Sequence, residues 1–546
     1  MLSGDFVPCL SLLLLARLTQ ACPVGCDCFQ WEVVCSAEEI ADIPQGIPEN
    51  ASEIIFVETS QRTLQPWAFG NTSGLAKVVF LNTELQSLQA EAFSGLPRLA
   101  DLEITGSPLG GLPEEVFRNL TGLSKLTLNF NTLRMLPVDL FQGLDALDAL
   151  HLQGNQLQTL PVAIFRPLVA LSLLNLAQNL LEQLTEQLLT SLANLQILKL
   201  SDNILATLPP RAFCGLGRLR ELFLDGNRLT ELPQDVFSEL GALEKLWLQH
   251  NAISHLPLAV FSSLGNLTFL NLQGNVLRVL PSGLFSQKPN LVRLSVSNNQ
   301  LEDVELGVFG SSPNLSILTL SHNSLQSLPP GLFDQVPRLT KLYLGSNNLT
   351  ALDGRLFQNL TSLELLSLAN NLLPTLPKGI FDNNFRLFNL ALHGNPWVCD
   401  CHLAYLLNWL QEYTEDFFNL HTYCARPHYL KGQVLPALEA EQLVCPVPPH
   451  SYKGGAFTEE EEGSDSSWAL AGERRPHTGC TYSTSDGTVV LVCEQEVCRW
   501  LRVQLSPRQT AGPLGLTFNS TQEWVLRSSC GSVRVTLSIN ALGGEG

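Results

Sequence analysis

The sequence lacks an excess of basic residues. It has 32 lysines and arginines against 51 aspartates and glutamates, which gives a formal net charge of −19 at pH 7. Nucleic acids, heparin and anionic membranes bind basic surfaces, so the composition argues against bulk binding to any of the three. The simplest interpretation of the acidic charge is a solubilising surface on a secreted protein.

Long apolar runs are also missing. Residues 7–16 form an apolar run that is too short to span a bilayer, and no later segment has 18 uninterrupted apolar residues. Thr19-Gln20-Ala21 resembles a signal-peptidase site, although no Lys or Arg precedes the apolar run. We therefore expect a signal peptide over residues 1–21 and a mature, secreted chain that starts near Cys22 and has no membrane anchor.

Sequence motifs of catalysis are absent as well. The ten histidines are scattered, and none belongs to an H-E-x-x-H or H-x-x-E motif. No G-x-S-x-G elbow or phosphate-binding glycine loop occurs. We therefore predict that the protein is not an enzyme and has no catalytic residue, no metal site and no cofactor.

What the sequence has instead is a repeat of 24 residues with the wording L-x-x-L-x-L-x-x-N-x-L, as in Leu147 to Leu157. We call the position of its asparagine the ladder position. Asparagine recurs there without insertion at Asn131, Asn155, Asn179, Asn203, Asn227, Asn251, Asn275, Asn299, Asn323, Asn347, Asn371 and Asn395, after Thr59, Thr83 and Ser107 in the earlier repeats. This period and wording are those of the leucine-rich repeat, a solenoid family.

The repeat predicts the fold class: an α/β solenoid, a leucine-rich repeat horseshoe with a parallel concave sheet. In each repeat a Leu-x-Leu pair such as Leu150 and Leu152 alternates with period two, so both side chains point inward from a short strand. Fifteen such strands at about 4.8 Å would form a sheet roughly 70 Å long. A buried Asn amide both donates and accepts, so stacked asparagines can satisfy the backbone groups of the turn. Phenylalanines such as Phe141 would fill the convex side of the core.

The cysteines of the mature chain form three clusters of four, and Cys214 stands alone. The clusters are Cys22, Cys26, Cys28 and Cys35; Cys399, Cys401, Cys424 and Cys445; and Cys480, Cys493, Cys498 and Cys530. In a secreted chain such clusters favour disulfide frameworks over zinc sites, but sequence alone allows three connectivities for each cluster.

Composition and cysteines divide the chain into six predicted segments. A solenoid needs caps at both ends, because a terminal repeat would otherwise expose its apolar face. The predicted segments are a signal peptide (1–21), an N-terminal cysteine cap (22–49), repeats (50–395), a C-terminal cysteine cap (396–446), an acidic flexible linker (447–479) and a small β-rich disulfide domain (480–546).

The concave face is the candidate binding surface. Side chains six, four and two residues before each ladder position should point away from the core there. Apolar and aromatic side chains cluster on this face, and the predicted partner-binding residues are Leu173, Ile197, Phe223, Trp247, Phe269 and Tyr343. Aromatic anchors dominate interface energetics, although single exposed aromatics are common and curvature could partly cover them. Lys199, Glu221 and Lys245 would surround the rings with mixed charge.

Eight N-x-S/T sequons occur, none of them at a predicted concave strand position. We predict glycosylation at Asn50, Asn71, Asn119, Asn266, Asn314, Asn348, Asn359 and Asn519. Asn-Leu is also frequent before these strands without a sequon, as at Asn194 and Asn290, so repeat wording alone explains part of the pattern.

Several stretches of the sequence resemble one particular family of extracellular leucine-rich repeat proteins. They are Cys22 to Cys28, Ile54 to Ser60, Leu342 to Leu352, Ala391 to Trp397, Cys401 to Leu406 and Ser528 to Ser532. They are similar to the family of large, non-catalytic regulatory subunits of carboxypeptidase N. The two cysteine clusters that flank the repeats also resemble the N- and C-terminal caps of extracellular leucine-rich repeat proteins. This resemblance implies the disulfides Cys22–Cys28, Cys26–Cys35, Cys399–Cys424 and Cys401–Cys445.

The resemblance to these regulatory subunits also implies a function. It implies a glycosylated plasma protein that binds and stabilises a smaller zinc carboxypeptidase, the catalytic subunit of carboxypeptidase N, which removes C-terminal Lys or Arg. The assembly would be a tetramer of two catalytic and two regulatory chains. The alternative is an extracellular matrix or adhesion scaffold that binds another protein, and a third reading is a shed receptor ectodomain.

Overall fold

A computed structural model of the chain describes residues 22–70, 72–310, 312–413 and 421–445, together with the backbone of five strands beyond them. The predicted signal peptide and the predicted linker lie outside the described residues. The chain forms two compact units. The first comprises the described residues up to Leu373 and Gly379–Gly394, and the second comprises Pro374–Lys378 and the described residues from Asn395 onward.

The first unit is a solenoid built on one parallel sheet, as the repeat predicts. Each repeat contributes one strand in register with its neighbours, so that Leu174 lies between Leu150 and Leu198. The repeat strands are Glu53–Val57, Lys77–Leu81, Asp101–Thr105, Lys125–Thr127, Ala149–His151, Leu173–Asn175, Ile197–Lys199, Glu221–Phe223, Lys245–Trp247, Phe269–Asn271, Arg293–Ser295, Ile317–Thr319, Lys341–Tyr343, Leu365–Ser367 and Asn389–Ala391. The predicted leucine-rich repeat horseshoe is confirmed.

In the described residues, the convex side of the first unit consists of turns and four two-residue strands. These strands pair in parallel as Thr63–Leu64 with Ser87–Leu88 and Val279–Leu280 with Asp303–Val304. Beneath the turns, phenylalanine rings stack along the solenoid, with centroids 6.0 Å apart for Phe213 and Phe237. The stack is interrupted at Leu189, which is buried at the position that phenylalanine holds in the neighbouring repeats.

The ladder asparagines bond to backbone groups of two consecutive repeats. Asn179 donates from Nδ2 to Leu152 O at 2.9 Å and to Leu176 O at 3.1 Å, and its Oδ1 accepts from Leu157 N at 3.1 Å. In the early repeats hydroxyls take over: the Thr83 and Ser107 Oγ atoms lie 2.9 Å apart. Each of these side chains is buried, because the turn after the strand leaves inward-facing backbone groups that need a partner.

The residue before each ladder position has a positive φ in all fifteen repeats. Five of these residues are glycines, at Gly106, Gly154, Gly226, Gly274 and Gly394, and the other ten carry side chains. The left-handed conformation turns the chain sharply at the end of each strand. Sequence periodicity did not predict this feature.

The N-terminal cap covers the first repeat strand. Cys26–Phe29 pairs antiparallel with Glu32–Cys35, which continues the parallel sheet by pairing with Glu53–Val57. The cap contains the disulfides Cys22–Cys28 and Cys26–Cys35, the pairs that the family resemblance implies. The sheet edge of the first repeat is therefore paired rather than open.

The second unit contains the C-terminal cap. Trp397–Val398 pairs with Cys424–Arg426, and the helix Ala404–Tyr413 buries Leu406, Leu407 and Leu410. The disulfides are Cys399–Cys424 and Cys401–Cys445, again the implied pairs. None of the helices in the described residues has the length and apolar character that a bilayer span requires.

Five strands follow in the predicted β-rich domain. Cys480–Ser485, Thr488–Gln495 and Gly531–Ser538 form an antiparallel sheet, and Trp500–Leu505 pairs with Gln522–Arg527. Cys498 and Cys530 lie outside the described residues. The disulfide pairing and the boundaries of this domain stay predictions.

Candidate protein-binding surface

The concave side chains are placed by the alternation of each repeat strand. In Glu221–Phe223, Leu222 points into the core and is fully buried, whereas Glu221 and Phe223 on either side are only half-buried. Lys245–Trp247 and Phe269–Asn271 have the same pattern of burial. The concave positions therefore carry side chains that the core does not use, as the period-two spacing predicts.

Three aromatic rings form a continuous row across three adjacent strands, and we call Phe223, Trp247 and Phe269 the concave aromatic row. Phe223 and Trp247 are register partners, and their rings stack with centroids 3.8 Å apart and planes 7° apart. Phe269 is offset along its strand, pairing with Lys245, and its ring lies 5.2 Å from that of Trp247 at 45°. All three side chains of the row are half-buried.

Charged groups lie against the row. Lys199 Nζ lies 5.3 Å from the centroid of the Phe223 ring, within the range of a cation–π contact. Lys245 Nζ donates to Glu221 Oε1 at 2.8 Å, and this bond and the Glu221 charge raise the pKa of Lys245 above its usual value. Glu221 and Lys245 thus neutralise each other beside the rings.

The structure brings only part of the predicted set together. Leu173 and Ile197 are register partners, and Ile197 pairs in turn with Glu221, so both lie next to the concave aromatic row. Tyr343 is on the same face but four strands beyond Trp247, which corresponds to about 19 Å at the ordinary strand spacing.

One residue at the end of the row did not enter the sequence prediction. Arg293 is the register partner of Phe269 and is exposed on the concave face. The signal that could have identified it is the period itself, because residues 24 positions apart are neighbours across the sheet.

His151 lies on the same face, two strands before Lys199. It pairs with Thr127 on one side and Asn175 on the other. Burial lowers the pKa of His151 below its usual value, and the positive charges of Lys125 and Lys199 lower it further. The imidazole is therefore held in its neutral form more strongly than a free histidine.

The sequon asparagines lie outside the concave strands. Asn50, Asn119, Asn266, Asn348 and Asn359 are exposed, whereas Asn71 and Asn519 are outside the described residues. Asn314 is half-buried: its Nδ2 donates to Pro289 O at 2.7 Å, and its Oδ1 accepts from Arg338 at 2.5 Å. Glycosylation at these positions stays a prediction.

Potential metal ligands come together at one place in the described residues, the start of the C-terminal cap. Asp400, Cys401 and His402 place one ligand atom each within 4.8 Å of one another. The sulfur of Cys401 is bonded to Cys445, so it cannot act as a thiolate ligand. The two remaining groups, which bond to each other at 3.0 Å, form an ordinary surface ion pair when His402 is protonated.

The repeats of this chain match a known protein family, and a large part of the chain is similar to a solved structure. A family model described as "Leucine rich repeat" matches residues 97–157, 121–181, 169–229, 218–277, 289–349 and 337–396, together more than half of the chain. An LRR protein structure from Leptospira interrogans covers 62% of this chain and 89% of its own length, at 26% identity and a TM-score of 0.53.

Two relatives are much more similar over a shorter stretch. Human carboxypeptidase N subunit 2 is 60% identical over 155 residues, and the mouse protein of the same name is 54% identical over 155 residues. Each match spans 28% of this chain and 28% of the relative. The repeat wording, the parallel solenoid and the family match agree, and the chain belongs to the leucine-rich repeat family.

Proposed function

We propose that this chain is a secreted, non-catalytic subunit that binds a zinc carboxypeptidase and stabilises it in plasma. The observation that carries the proposal is the 60% identity over 155 residues with a human protein named as subunit 2 of carboxypeptidase N. The partner would be the catalytic subunit of that enzyme, which removes C-terminal Lys or Arg from peptides. The assembly would contain two catalytic and two regulatory chains.

The concave aromatic row is the contact surface that we propose for this partner. Its rings are fixed on strands of a continuous sheet, so little conformational entropy is lost when a partner covers them. Trp and Tyr anchors surrounded by polar groups are typical of interface hot spots, and the row is flanked by the Glu221–Lys245 pair. Leu173 and Ile197 would extend the apolar area on one side.

Secretion is supported by the covalent chemistry of the caps. The four disulfides in the described residues are typical of proteins that fold in an oxidising compartment. Glycans on the described sequons would lie outside the concave strands and would leave the proposed contact surface uncovered.

Affinity purification of the tagged full-length chain from plasma tests the proposal. We expect recovery of a metallo-carboxypeptidase that cleaves a peptide ending in Lys or Arg. Trp247→Ala should weaken binding of the purified enzyme by about 2 kcal/mol or more, which is roughly 30-fold in Kd. Tyr343→Ala is the matched control, an aromatic on the same face about 19 Å away, and should leave the affinity unchanged.

Stabilisation is a separate measurement. The half-life of the purified enzyme's activity at body temperature should lengthen with the wild-type chain and should not lengthen with Trp247→Ala at the same concentration. Native mass spectrometry of the recovered assembly counts its chains. Recovery of collagen or a growth factor in place of the enzyme would support a matrix scaffold instead, and an unchanged Kd for Trp247→Ala would move the contact away from the concave aromatic row.

A further inference from the structure

Two cations stand at the two ends of the concave aromatic row. Lys199 lies over the outer face of Phe223, and Arg293 is the register partner of Phe269. Among the described residues neither cation has a carboxylate within ion-pair distance. They are four strands apart, which corresponds to about 19 Å.

Three other cations of the concave sheet are neutralised within the chain, whereas Lys341, two strands beyond Arg293, has no carboxylate within ion-pair distance among the described residues. Lys77 pairs with Glu53 at 3.4 Å, and Lys125 pairs with Asp101 at 3.5 Å. Lys245, in the middle of the row, pairs with Glu221. The unpaired charge is therefore concentrated at the ends of the row rather than along it.

The carboxylate on the strands of the row, Glu221, is paired with Lys245. Asp225 follows the strand, two residues after Phe223, and accepts a hydrogen bond at 2.7 Å from a neutral hydroxyl, Ser201 Oγ. The surface thus combines an apolar centre with two unsatisfied positive ends, in a chain whose net charge is −19. A local charge of the opposite sign to the whole molecule indicates a partner of complementary charge.

We propose that the concave aromatic row binds an apolar segment of its partner that is bracketed by carboxylates. The apolar side chains cover Phe223, Trp247 and Phe269, and one Asp or Glu at each end pairs with Lys199 or Arg293. The inference rests on the proposed function in that it specifies which surface of the carboxypeptidase docks here. It excludes basic segments, because they would meet two unpaired cations as they lose water.

Charge reversal tests the inference on the full-length chain with the purified carboxypeptidase as the probe. The double variant Lys199→Glu/Arg293→Glu should weaken binding at least about tenfold at low salt and should flatten the dependence of Kd on salt. Lys341→Glu is the matched control: it is also an unpaired concave cation among the described residues, two strands beyond Arg293. It should change Kd by less than about twofold.

A photocrosslink identifies the docked segment directly. Benzoylphenylalanine placed at Asn271, the register partner of Trp247, reports the surface that covers the row in plasma. A crosslinked peptide with acidic residues on both sides of an apolar run supports the inference. A basic or uncharged segment, or no crosslink, overturns it.

The outcomes separate the inference from the proposed function. If Trp247→Ala abolishes carboxypeptidase binding while the double charge reversal has no effect, the inference is wrong and the proposed function stands. If the enzyme is not recovered but an acidic, apolar segment of another protein crosslinks at position 271, the proposed function is wrong and the inference stands.

Discussion

His250 lies over Gly274 of the next repeat, and a Cβ atom added to Gly274 would stand 2.7 Å from His250 Nδ1. Both residues have positive φ, 56° and 66°, at the turn before the ladder position. Gly274→Ala should therefore destabilise the chain by about 1–3 kcal/mol, through left-handed strain and the clash with the imidazole. Thermal unfolding of the full chain measures the effect.

Gly265 in the same repeat is the control for that substitution. A Cβ there would meet no atom within 4 Å, and its backbone is not left-handed. Gly265→Ala should shift stability by no more than about 0.5 kcal/mol. Equal melting temperatures for the two variants would show that the turn before the ladder position adapts without cost.

Replacing a ladder asparagine should also destabilise the fold, because its hydrogen bonds to the backbone are lost. Asn251 donates from Nδ2 to Leu224 O at 3.0 Å and accepts at Oδ1 from Leu229 N at 3.0 Å. Asn251→Ala should cost about 1–3 kcal/mol, because these groups face the interior and lose their partner. Urea unfolding measures this loss.

Asn290 provides the comparison, since it is exposed and its side chain makes one hydrogen bond to the described residues, from Nδ2 to Gly265 O at 3.1 Å. Asn290→Ala should cost clearly less, because water replaces the amide there. Amide hydrogen exchange at Leu229 should accelerate in Asn251→Ala and stay unchanged in Asn290→Ala. Similar losses in both variants would contradict a buried ladder.

The adjacency of Phe223 and Trp247 could be predicted from sequence, because an uninterrupted period of 24 residues fixes which side chains are neighbours across the sheet. Their ring separation of 3.8 Å could not, since it depends on side-chain torsions that the packing of neighbouring strands selects. The same periodicity put Tyr343 on the concave face without showing that it stands apart from the row. The separation of Tyr343 from the row follows only when the strands between Tyr343 and Trp247 are counted.

Other features had no signal in the repeat wording. Lys288 occupies the position of Leu264 one repeat later and is almost fully buried, with Nζ donating to Ser262 O and Ser286 O at 3.3 Å. Burial lowers the pKa of Lys288. The repeat pattern predicts an apolar residue at this position. The structure shows that backbone carbonyls accept hydrogen bonds from the buried ammonium group.

The lowered pKa of His151 predicts that the stability of the fold depends on pH. Its pKa is lowered in the folded chain by burial and by Lys125 and Lys199, so the unfolded chain binds a proton more readily. Its contribution to stability is therefore present above its unfolded value of about 6.5 and is lost as the pH falls below it. Melting temperature should fall less steeply on acidification in His151→Gln than in the wild type. A His151→Gln profile that runs parallel to the wild-type profile would show that protonation of His151 is not linked to folding.

We predict that the thiol of Cys214 can be alkylated without prior treatment with a reductant. It is partly exposed and forms no disulfide among the described residues. Its Sγ donates to Glu239 Oε1 at 3.2 Å and accepts from an Arg211 guanidinium nitrogen at 3.3 Å, so the sulfur is engaged by hydrogen bonds across two repeats.

Alkylation of the native, unreduced chain followed by peptide mapping should therefore label Cys214 and leave Cys26 and Cys35 unlabelled, since those two sulfurs are bonded to each other. Cys214→Ser should remove the label from the repeats while the melting temperature stays close to that of the wild type, because a hydroxyl can make the same two bonds. Cys214 follows the seventh repeat strand, Ile197–Lys199, and is therefore many strands away from the N-terminal cap. A mapped disulfide between Cys214 and a cysteine of the N-terminal cap would contradict the register of the whole sheet.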